Sequence, residues 1–472
     1  MRRPILVLAL LVFSAASYAA DFSARFDELK KNATPAQLYA LLYALPKGGD
    51  LHNHSGGSDR AEWIFAACTD PARNGGDTFY TRAHIAAEPD AIAPGARYRT
   101  IRKRTYDQLG AAVRAEYVPL AELTAAERVA WHNSLRIDAP GEGRDEFFGG
   151  ILQRKGEIGR NLPVKLELLA EDVKTFAAEG VRYLETQLGA DSFVANDGRA
   201  IPVEEAVAAI HRRLAQPDIA GTGLVVRFQR TVLRFRPDAE VALAENYAFV
   251  DAHRDLWVGV NLAGSEENGR GFPRRFLDTF RQLRSLYPTL ALSIHAGEMD
   301  GPDSHIRDTL LLGANRIGHG VNLIHDPDTL LLLQQTRRVL IEINLISNRL
   351  LEYTPDLTRH PFPEYLRTGV PVCLNTDDRG IWDSNLTDEY YTAVTLFRLS
   401  WGEVVQLGRD SLRHAFVQPD VKAKLLTDYA ARVAAFEAKY AAGSAAEALT
   451  KLREVKPAAY GYAKRTWNLE FK

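Results

Sequence analysis

Short apolar runs alternate with amphipathic stretches along most of the chain. Runs of this length, bounded by polar residues, are typical of strands buried in a parallel sheet, and they cover 48–54, 181–188, 223–233, 257–263, 290–295, 316–319, 339–344 and 370–376. Segments whose apolar residues have helical spacing lie between many of these runs, for example at 165–179, 273–286 and 328–336. This alternation predicts an α/β protein built as a (β/α)8 TIM barrel. An open doubly wound sheet is the alternative, although the glycine-rich dinucleotide fingerprint that it often carries is missing.

The spacing of the predicted strands indicates a long insertion after the first one. His52 and His295 lie 243 residues apart with only four strand–helix steps between them, whereas a whole barrel usually takes about 250 residues. We place the surplus at about 61–163 and expect a mostly helical insertion there. Residues after Asp383 are predicted to add C-terminal helices to the barrel, so that 20–472 form a single domain.

The first residues have the order of a secretory signal peptide. Two arginines precede an apolar run over 5–13, and small residues follow, with Ser17 and Ala19 at the −3 and −1 positions of a cleavage site. The run is shorter than the roughly 20 residues that span a bilayer. We therefore expect residues 1–19 to be removed and the mature protein to be periplasmic or secreted, without a membrane anchor.

Composition excludes several functions. The 472 residues are 46% hydrophobic and 25% charged, as in an ordinary globular protein. A net charge of −2 shows no basic excess of the kind that indicates nucleic-acid binding. Two cysteines, Cys68 and Cys373, are too few for a disulfide framework or a multi-thiolate zinc site, and we expect two separate thiols.

Residues that bind metals or transfer protons stand at the ends of four predicted strands. They are His52 and His54, His295 and Glu298, His319, and Asp377 and Asp378. Taken singly, each fits a buried core histidine or an aspartate that caps a helix. Catalytic residues of a barrel gather at the carboxyl ends of its strands, however, so the four groups together indicate one site. The other histidines, His305 and His360 among them, carry no motif and are interpreted as surface or core residues.

The chemical types of these side chains predict which of them bind a metal and which transfer protons. Three imidazoles and one carboxylate suit zinc with an open position for water, which lowers the pKa of that water to about 7. The predicted ligands of one Zn²⁺ per chain are His52, His54, His295 and Asp377. Glu298 is a candidate proton donor, and His319 is a candidate to orient or deprotonate the water. The strand at 257–264 has no lysine to bridge a second ion, which favours a single metal.

The order of these motifs resembles that of the adenosine deaminase family of metal-dependent hydrolase barrels. The segments that carry the resemblance are 46–54, 262–266, 295–298, 316–320, 375–378 and 410–416. His-Ala-Gly-Glu with a later Thr-Asp-Asp is a specific combination. The predicted signal peptide and the long insertion are most similar to those of the secreted, growth-factor-related branch of the family and its exported bacterial relatives.

The resemblance implies zinc-dependent hydrolytic deamination of adenosine and 2′-deoxyadenosine to inosine and 2′-deoxyinosine, with release of ammonia. It implies that Glu298 protonates purine N1 while hydroxide adds at C6. Asp378 would hydrogen-bond N7, and the backbone N–H of Gly264 would face N3. Asp377 would bind zinc and help to orient the hydroxide. The expected partner is a small-molecule purine nucleoside.

The chain departs from the family pattern at three places near these motifs. One is Asn261, which stands where an aspartate often precedes Leu-Ala-Gly. Ser55-Gly56-Gly57 replaces a common Leu-Asp-Gly, which removes an acid from the side that recognises ribose. Arg379 replaces a frequent proline after the aspartate pair. We interpret Arg379 as a solvated loop charge or, near the pocket, as a partner for an anionic group.

Two other functions are compatible with the sequence. One is deamination of adenine, a modified adenine nucleoside or AMP, of which AMP is disfavoured because no basic cluster lies near the motifs. The other is an extracellular binding protein with a residual barrel. Thiolate-ligated base deaminases are excluded, since they need a Cys-x-x-Cys pair.

Overall fold

Eight parallel strands follow one another around the sheet in chain order. The computed structural model describes residues 22–86, 92–267, 269–469 and 471, so the predicted signal peptide at 1–19 lies outside the described residues. The strands are β1 (Gly48–His54), β2 (Val181–Gln187), β3 (Val225–Leu233), β4 (Trp257–Ala263), β5 (Ala291–Ala296), β6 (Arg316–His319), β7 (Leu340–Ile343) and β8 (Val372–Leu374). Each overlaps a predicted strand, which confirms the (β/α)8 barrel.

The barrel closes through residues just beyond the end of β8. The backbone N–H of Asp377 donates to the carbonyl of His52 at 2.9 Å, and the N–H of His54 donates to the carbonyl of Asp377 at 3.2 Å. The Asn375 side chain supports this seam by accepting the N–H of Leu51 at 2.9 Å. Two groups of predicted site residues, one from the first strand and one from the end of the last strand, are thereby brought together.

Helices cover the outside of the barrel and extend beyond its last strand. Caps define several of their ends: the Asn161 side chain accepts the N–H of Val164 where the helix before β2 begins. The helices of six residues or more outside the insertion are 22–32, Pro35–Tyr43, Leu162–Ala178, Val203–Leu214, Ala239–Ala252, Leu277–Leu286, His305–Leu312, Pro327–Thr336, Leu345–Leu350, Phe362–Thr368, Leu386–Phe397, Trp401–Arg413, Pro419–Ala441, Ala445–Thr450 and Gly461–Trp467. In the described part of the chain, none of the helices is long and apolar enough to cross a membrane.

The insertion between β1 and the helix Leu162–Ala178 is mostly helical, as predicted, and also holds a small antiparallel sheet. Its helices are Ser55–Ser58, Ala61–Thr69, Pro71–Asn74, Lys103–Asp107, Ala111–Arg114, Ala125–Asn133, a π-helix at Glu146–Ile151, Leu152–Lys155 and 3-10 turns at Leu120–Glu122 and Ile158–Arg160. Its strands are Phe79–Thr81, Thr100–Arg102 and Val118–Pro119. Strands of two or three residues are too short to show an alternating pattern. Trp131 lies in the core of this unit, and its indole N–H donates to Thr100 Oγ1 at 3.1 Å.

Arg379 is not a solvated loop charge, and the sequence interpretation was wrong. Its side chain is buried, donates to Asp172 Oδ1 at 2.8 Å and Glu179 Oε1 at 3.2 Å, and lies 3.5 Å above the Phe176 ring. It ties the loop after β8 to the end of the helix Leu162–Ala178. Both acids precede Arg379 by about 200 residues, so local sequence gave no sign of them.

Candidate active site

The four predicted metal ligands converge at the carboxyl ends of the strands. His54 Nε2 lies 3.2 Å from His295 Nε2 and 3.2 Å from Asp377 Oδ1. His52 Nε2 lies 3.5 Å from the same oxygen of Asp377. His319 also joins the group, since ligand atoms of His52, His295, His319 and Asp377 all lie within 4.8 Å of one another.

This cluster has the chemistry of a metal site. His52 Nε2, which faces the cluster, is buried and has no hydrogen-bond partner among the described residues. Buried nitrogen atoms without a partner are costly unless a ligand satisfies them. Imidazoles with a carboxylate form a donor set that suits zinc. The residues present therefore fit a bound metal ion.

Glu342 orients the first of these histidines and was missed by the sequence analysis. Its Oε2 lies 2.7 Å from His52 Nδ1, which leaves His52 Nε2 directed at the cluster. Arg316 Nε holds the other carboxylate oxygen at 2.6 Å. Burial acts to lower the pKa of His52, but the carboxylates of Asp377 and Glu342 outweigh it and raise that pKa to about 10. A carboxylate behind a ligating histidine raises its basicity and fixes its tautomer; the signal for Glu342 was an acid inside an otherwise apolar strand.

Unusual backbone conformations place two of the site side chains. Asp377 and His319 have φ values of 52° and 63°, in the left-handed region that residues other than glycine seldom adopt. Such conformations cost free energy and cluster at functional sites. The glycine before His319 is also required, because a Cβ on Gly318 would lie 2.6 Å from His52 Cε1.

A chain of hydrogen bonds assigns the tautomer of His319. The backbone N–H of Phe362 donates to His360 Nδ1 at 3.1 Å, so the His360 proton is on Nε2 and is donated to Asn348 Oδ1 at 3.1 Å. Asn348 Nδ2 then donates to His319 Nδ1 at 3.0 Å. His319 consequently carries its proton on Nε2, the nitrogen that faces the cluster. Of its two expected roles, this arrangement favours orienting a water molecule over deprotonating it.

Glu298 lies beside the cluster as a candidate proton donor. Its Oε2 is 3.3 Å from His319 Nε2. Burial, together with the negative charges of Asp377 and Glu266, raises the pKa of Glu298 well above its ordinary value. A raised pKa favours the protonated form of a carboxyl group, which is the form that acts as a general acid.

Glu266 holds the backbone that presents Glu298. Its Oε1 accepts the N–H of Glu298 at 2.8 Å, and its Oε2 accepts the N–H of Gly297 at 3.1 Å. His305 Nδ1 lies 2.7 Å from Glu266 Oε2. His305, which the sequence left without a motif, thus supports the site indirectly.

A cavity of about 460 Å³ opens onto the cluster. Asp378 and Gly264 line it as expected, and the insertion contributes Phe147 to its wall. Asp378 fills the space at Gly57, where a Cβ would lie 1.4 Å from Asp378 Oδ1. Burial raises the pKa of Asp378 to about 7, so this side chain is able to donate a hydrogen bond near neutral pH.

Comparison with known proteins places this geometry in a family. The family model described as adenosine deaminase matches residues 164–431. The chain belongs to the adenosine deaminase family. An adenosine deaminase of Enterococcus faecalis is 34% identical over 263 residues, which is 55% of this chain and 74% of that protein.

Solved structures share the fold of this adenosine deaminase family member. An amidohydrolase from Burkholderia ambifaria, solved with bound Zn, aligns with a TM-score of 0.62 at 21% identity and covers 89% of this chain and 96% of its own. An N6-mAMP deaminase of arabidopsis aligns with a TM-score of 0.60 at 22% identity, over 83% of this chain and 99% of its own. At these identities the likeness shows the fold alone.

The site residues expected from the sequence lie together at one cavity. Those residues are His54, Gly264, His295, Glu298, His319, Asp377 and Asp378, with His52 directly behind them. The supporting residues that sequence reasoning missed are Glu266, Glu342, Asn348 and His360. Asn348 and His360 gave no local signal, because their roles depend on contacts with His319 that only the fold creates.

Proposed function

We propose that the protein catalyses metal-dependent hydrolytic deamination of adenosine and 2′-deoxyadenosine, giving inosine and 2′-deoxyinosine with ammonia. The observation that carries the proposal is the cluster of His52, His54, His295 and Asp377 beside Glu298, a carboxyl group whose pKa is raised by burial. The similarity to an adenosine deaminase of Enterococcus faecalis supports this substrate. A hydrolase needs both an activated water and an acid for the leaving group, and the cluster offers residues for both.

The four predicted ligands would hold one zinc ion. When bound, zinc supplies hydroxide from water at neutral pH. Glu342 would keep His52 in the tautomer that binds, since its carboxylate accepts the proton of His52 Nδ1. The zinc in the Burkholderia ambifaria structure supports the choice of metal.

The other site residues orient the purine and move protons. Glu298 gives its proton to N1, which makes C6 a better electrophile. The His319 Nε2–H group donates a hydrogen bond that aligns the attacking oxygen. Asp378, with its pKa near 7, donates to N7, and the backbone N–H of Gly264 donates to N3. Hydrogen-bond donors matched to three ring nitrogens select adenine over analogues that lack these acceptors.

We also propose that the protein acts outside the cytoplasm. The support is the basic, apolar and small-residue order of positions 1–19. Fractionation of cells that express the full chain, followed by N-terminal sequencing, tests this proposal. A cytoplasmic protein that retains Met1 would contradict it.

A steady-state ultraviolet assay of zinc-loaded mature protein tests the proposed reaction. Adenosine, 2′-deoxyadenosine and adenine are compared, and ammonia is quantified in parallel. We expect loss of adenosine with an equal amount of ammonia. Tight binding of adenosine by zinc-loaded protein without any turnover would instead favour a binding protein with a residual barrel.

A further inference from the structure

The insertion contributes a lysine to the cavity wall. Lys155 ends the helix Leu152–Lys155, and its Nζ donates to the carbonyl of Gly56 and lies 3.4 Å from the carbonyl of Asp59. No carboxylate of the described residues lies within 4.0 Å of this ammonium. Lysine has three N–H donors, and the two carbonyls account for two of them. One donor of this ammonium, which has no direct ion pair, is available to a ligand.

A second lysine in the same wall provides the contrast. Lys165 Nζ lies 2.8 and 3.0 Å from the two carboxylate oxygens of Asp59 and 2.7 Å from the carbonyl of Ser55. Its three donors are used and its charge is neutralised. The two lysines therefore differ in their contacts: Lys165 forms an ion pair that holds the loop after β1 in place, whereas Lys155 forms no direct ion pair with the described residues, although Asp59 and Asp378 act on it from a greater distance.

Open space adjoins Lys155. A Cβ on Gly56 would meet no atom within 4 Å, although one on the neighbouring Gly57 would collide with Asp378. The cavity is thus free beside the carbonyl that Lys155 contacts. Because position 56 carries no side chain, no acid is present there to repel an anion or to pair with Lys155.

We propose that Lys155 and the open space at Gly56 form a subsite for the 5′-phosphate of an adenine nucleotide, so that adenosine 5′-monophosphate is a substrate. The proposal rests on the proposed deamination, in which Glu298, Asp378 and the Gly264 backbone hold the base. Water replaces the amino group at C6, ammonia leaves, and the phosphate ester is unchanged. The acidic part of the cavity then faces the base, and the ammonium faces the phosphate dianion.

This subsite reverses the expectation that AMP is disfavoured. That expectation depended on the absence of a basic cluster near the motifs along the chain. Lys155 follows Gly56 by 99 residues and reaches the cavity only through the fold of the insertion.

The test compares kcat/KM for AMP and adenosine in zinc-loaded protein. We expect the native protein to prefer AMP and the Lys155→Met variant to lower the AMP-to-adenosine ratio about tenfold or more, as loss of a charge-assisted hydrogen bond implies. Lys155→Arg should keep most of the preference. Lys103→Met removes an exposed charge from the same insertion and should leave the ratio unchanged. Added salt should reduce kcat/KM for AMP more than that for adenosine.

Two results would overturn the proposal, and they differ from failure of the deaminase function. Turnover of adenosine without turnover of AMP would reject the phosphate subsite and leave the proposed function intact. Equal losses for both substrates in Lys155→Met, with no recovery in Lys155→Arg, would make Lys155 a structural residue. Absence of any deamination by zinc-loaded protein would reject the proposed function and the subsite with it.

Discussion

The backbone N–H of Asp377 donates to the carbonyl of His52 at 2.9 Å, and this bond joins the two ends of the barrel sheet at the predicted metal centre. The partner bond from His54 N–H to the Asp377 carbonyl makes the junction reciprocal. The same backbone hydrogen bonds thus close the barrel and place three of the predicted metal ligands. The backbone of these ligands is fixed by the fold, and only their side chains depend on the metal.

Asp377→Ala should separate these two roles. The variant keeps both backbone bonds of the seam, so we expect an unchanged circular dichroism spectrum, while zinc affinity falls by about 100-fold or more because a ligand is lost. Zinc content after dialysis against a chelator measures the effect. Asp328→Ala, at an exposed helix position, is the matched control. Full zinc occupancy with a normal rate in Asp377→Ala would contradict the assignment.

Glu298 should give the reaction an upper pH limit. Its folded pKa is raised by burial and by nearby carboxylates, so the proton needed at N1 is present below that pKa and is lost as pH rises through it. We expect kcat/KM to fall on the alkaline side. Glu298→Gln should retain zinc, lose about 10²- to 10⁴-fold in kcat, and lack this alkaline limb. A near-normal rate in Glu298→Gln would remove Glu298 from the mechanism.

His360 should affect catalysis from behind His319. His360→Leu removes the donor that orients Asn348, so this amide is free to turn away from His319. Asn344 Nδ2, 3.2 Å from His319 Nδ1, then remains as a donor, and the tautomer of His319 is held less firmly. We expect a decrease in kcat with little change in KM or zinc content. His360→Gln keeps an N–H donor and should recover part of kcat. If both variants lowered kcat equally, the hydrogen-bond chain would have no role in orienting His319.

Gly57→Ala should disturb substrate binding without disturbing the metal. The new methyl group would overlap Asp378 Oδ1, so Asp378 must turn away from the position from which it is proposed to donate to N7. We expect kcat/KM to fall by about 10- to 100-fold, the loss of one good hydrogen bond to the substrate, with zinc content unchanged. Gly402→Ala, where a Cβ meets nothing within 4 Å, is the control. Equal kinetics for both variants would show that Asp378 does not need its present position.

The sequence predicted the barrel and the directly acting residues for the same reason. Buried parallel strands are continuous apolar runs, and the residues that act at a barrel's carboxyl end lie in the last positions of these runs or just after them. His295 lies near the end of β5, and Asp377 follows β8. Both signals are local. Glu342 lies on the same kind of strand, and an acid at that place was a signal that the analysis did not use.

Contacts between distant segments could not be predicted in this way. His360 acts through Asn348, and Lys155 reaches Gly56 from the insertion, so neither role is encoded by spacing. Arg379 shows the same limit: its neighbours along the chain suggest a solvated loop, whereas its partners belong to a helix about 200 residues earlier. The three-stranded sheet of the insertion was missed because its strands are too short to alternate.

Arg379→Met should destabilise the fold, because it leaves Asp172 and Glu179 buried without their cation. Loss of one partner from a buried ion pair costs about 3–5 kcal/mol, measured as the free energy of unfolding in urea. Burial already acts to raise the pKa of Asp172, and Arg379 opposes it. Without Arg379 that pKa rises further, so protonation relieves the buried charge as pH falls, and the loss should be smaller at pH 5 than at pH 8. Arg281→Met, which removes an exposed pair with Asp278, should cost less than about 1 kcal/mol. Similar unfolding free energies for the two variants would mean that the buried acids find other partners.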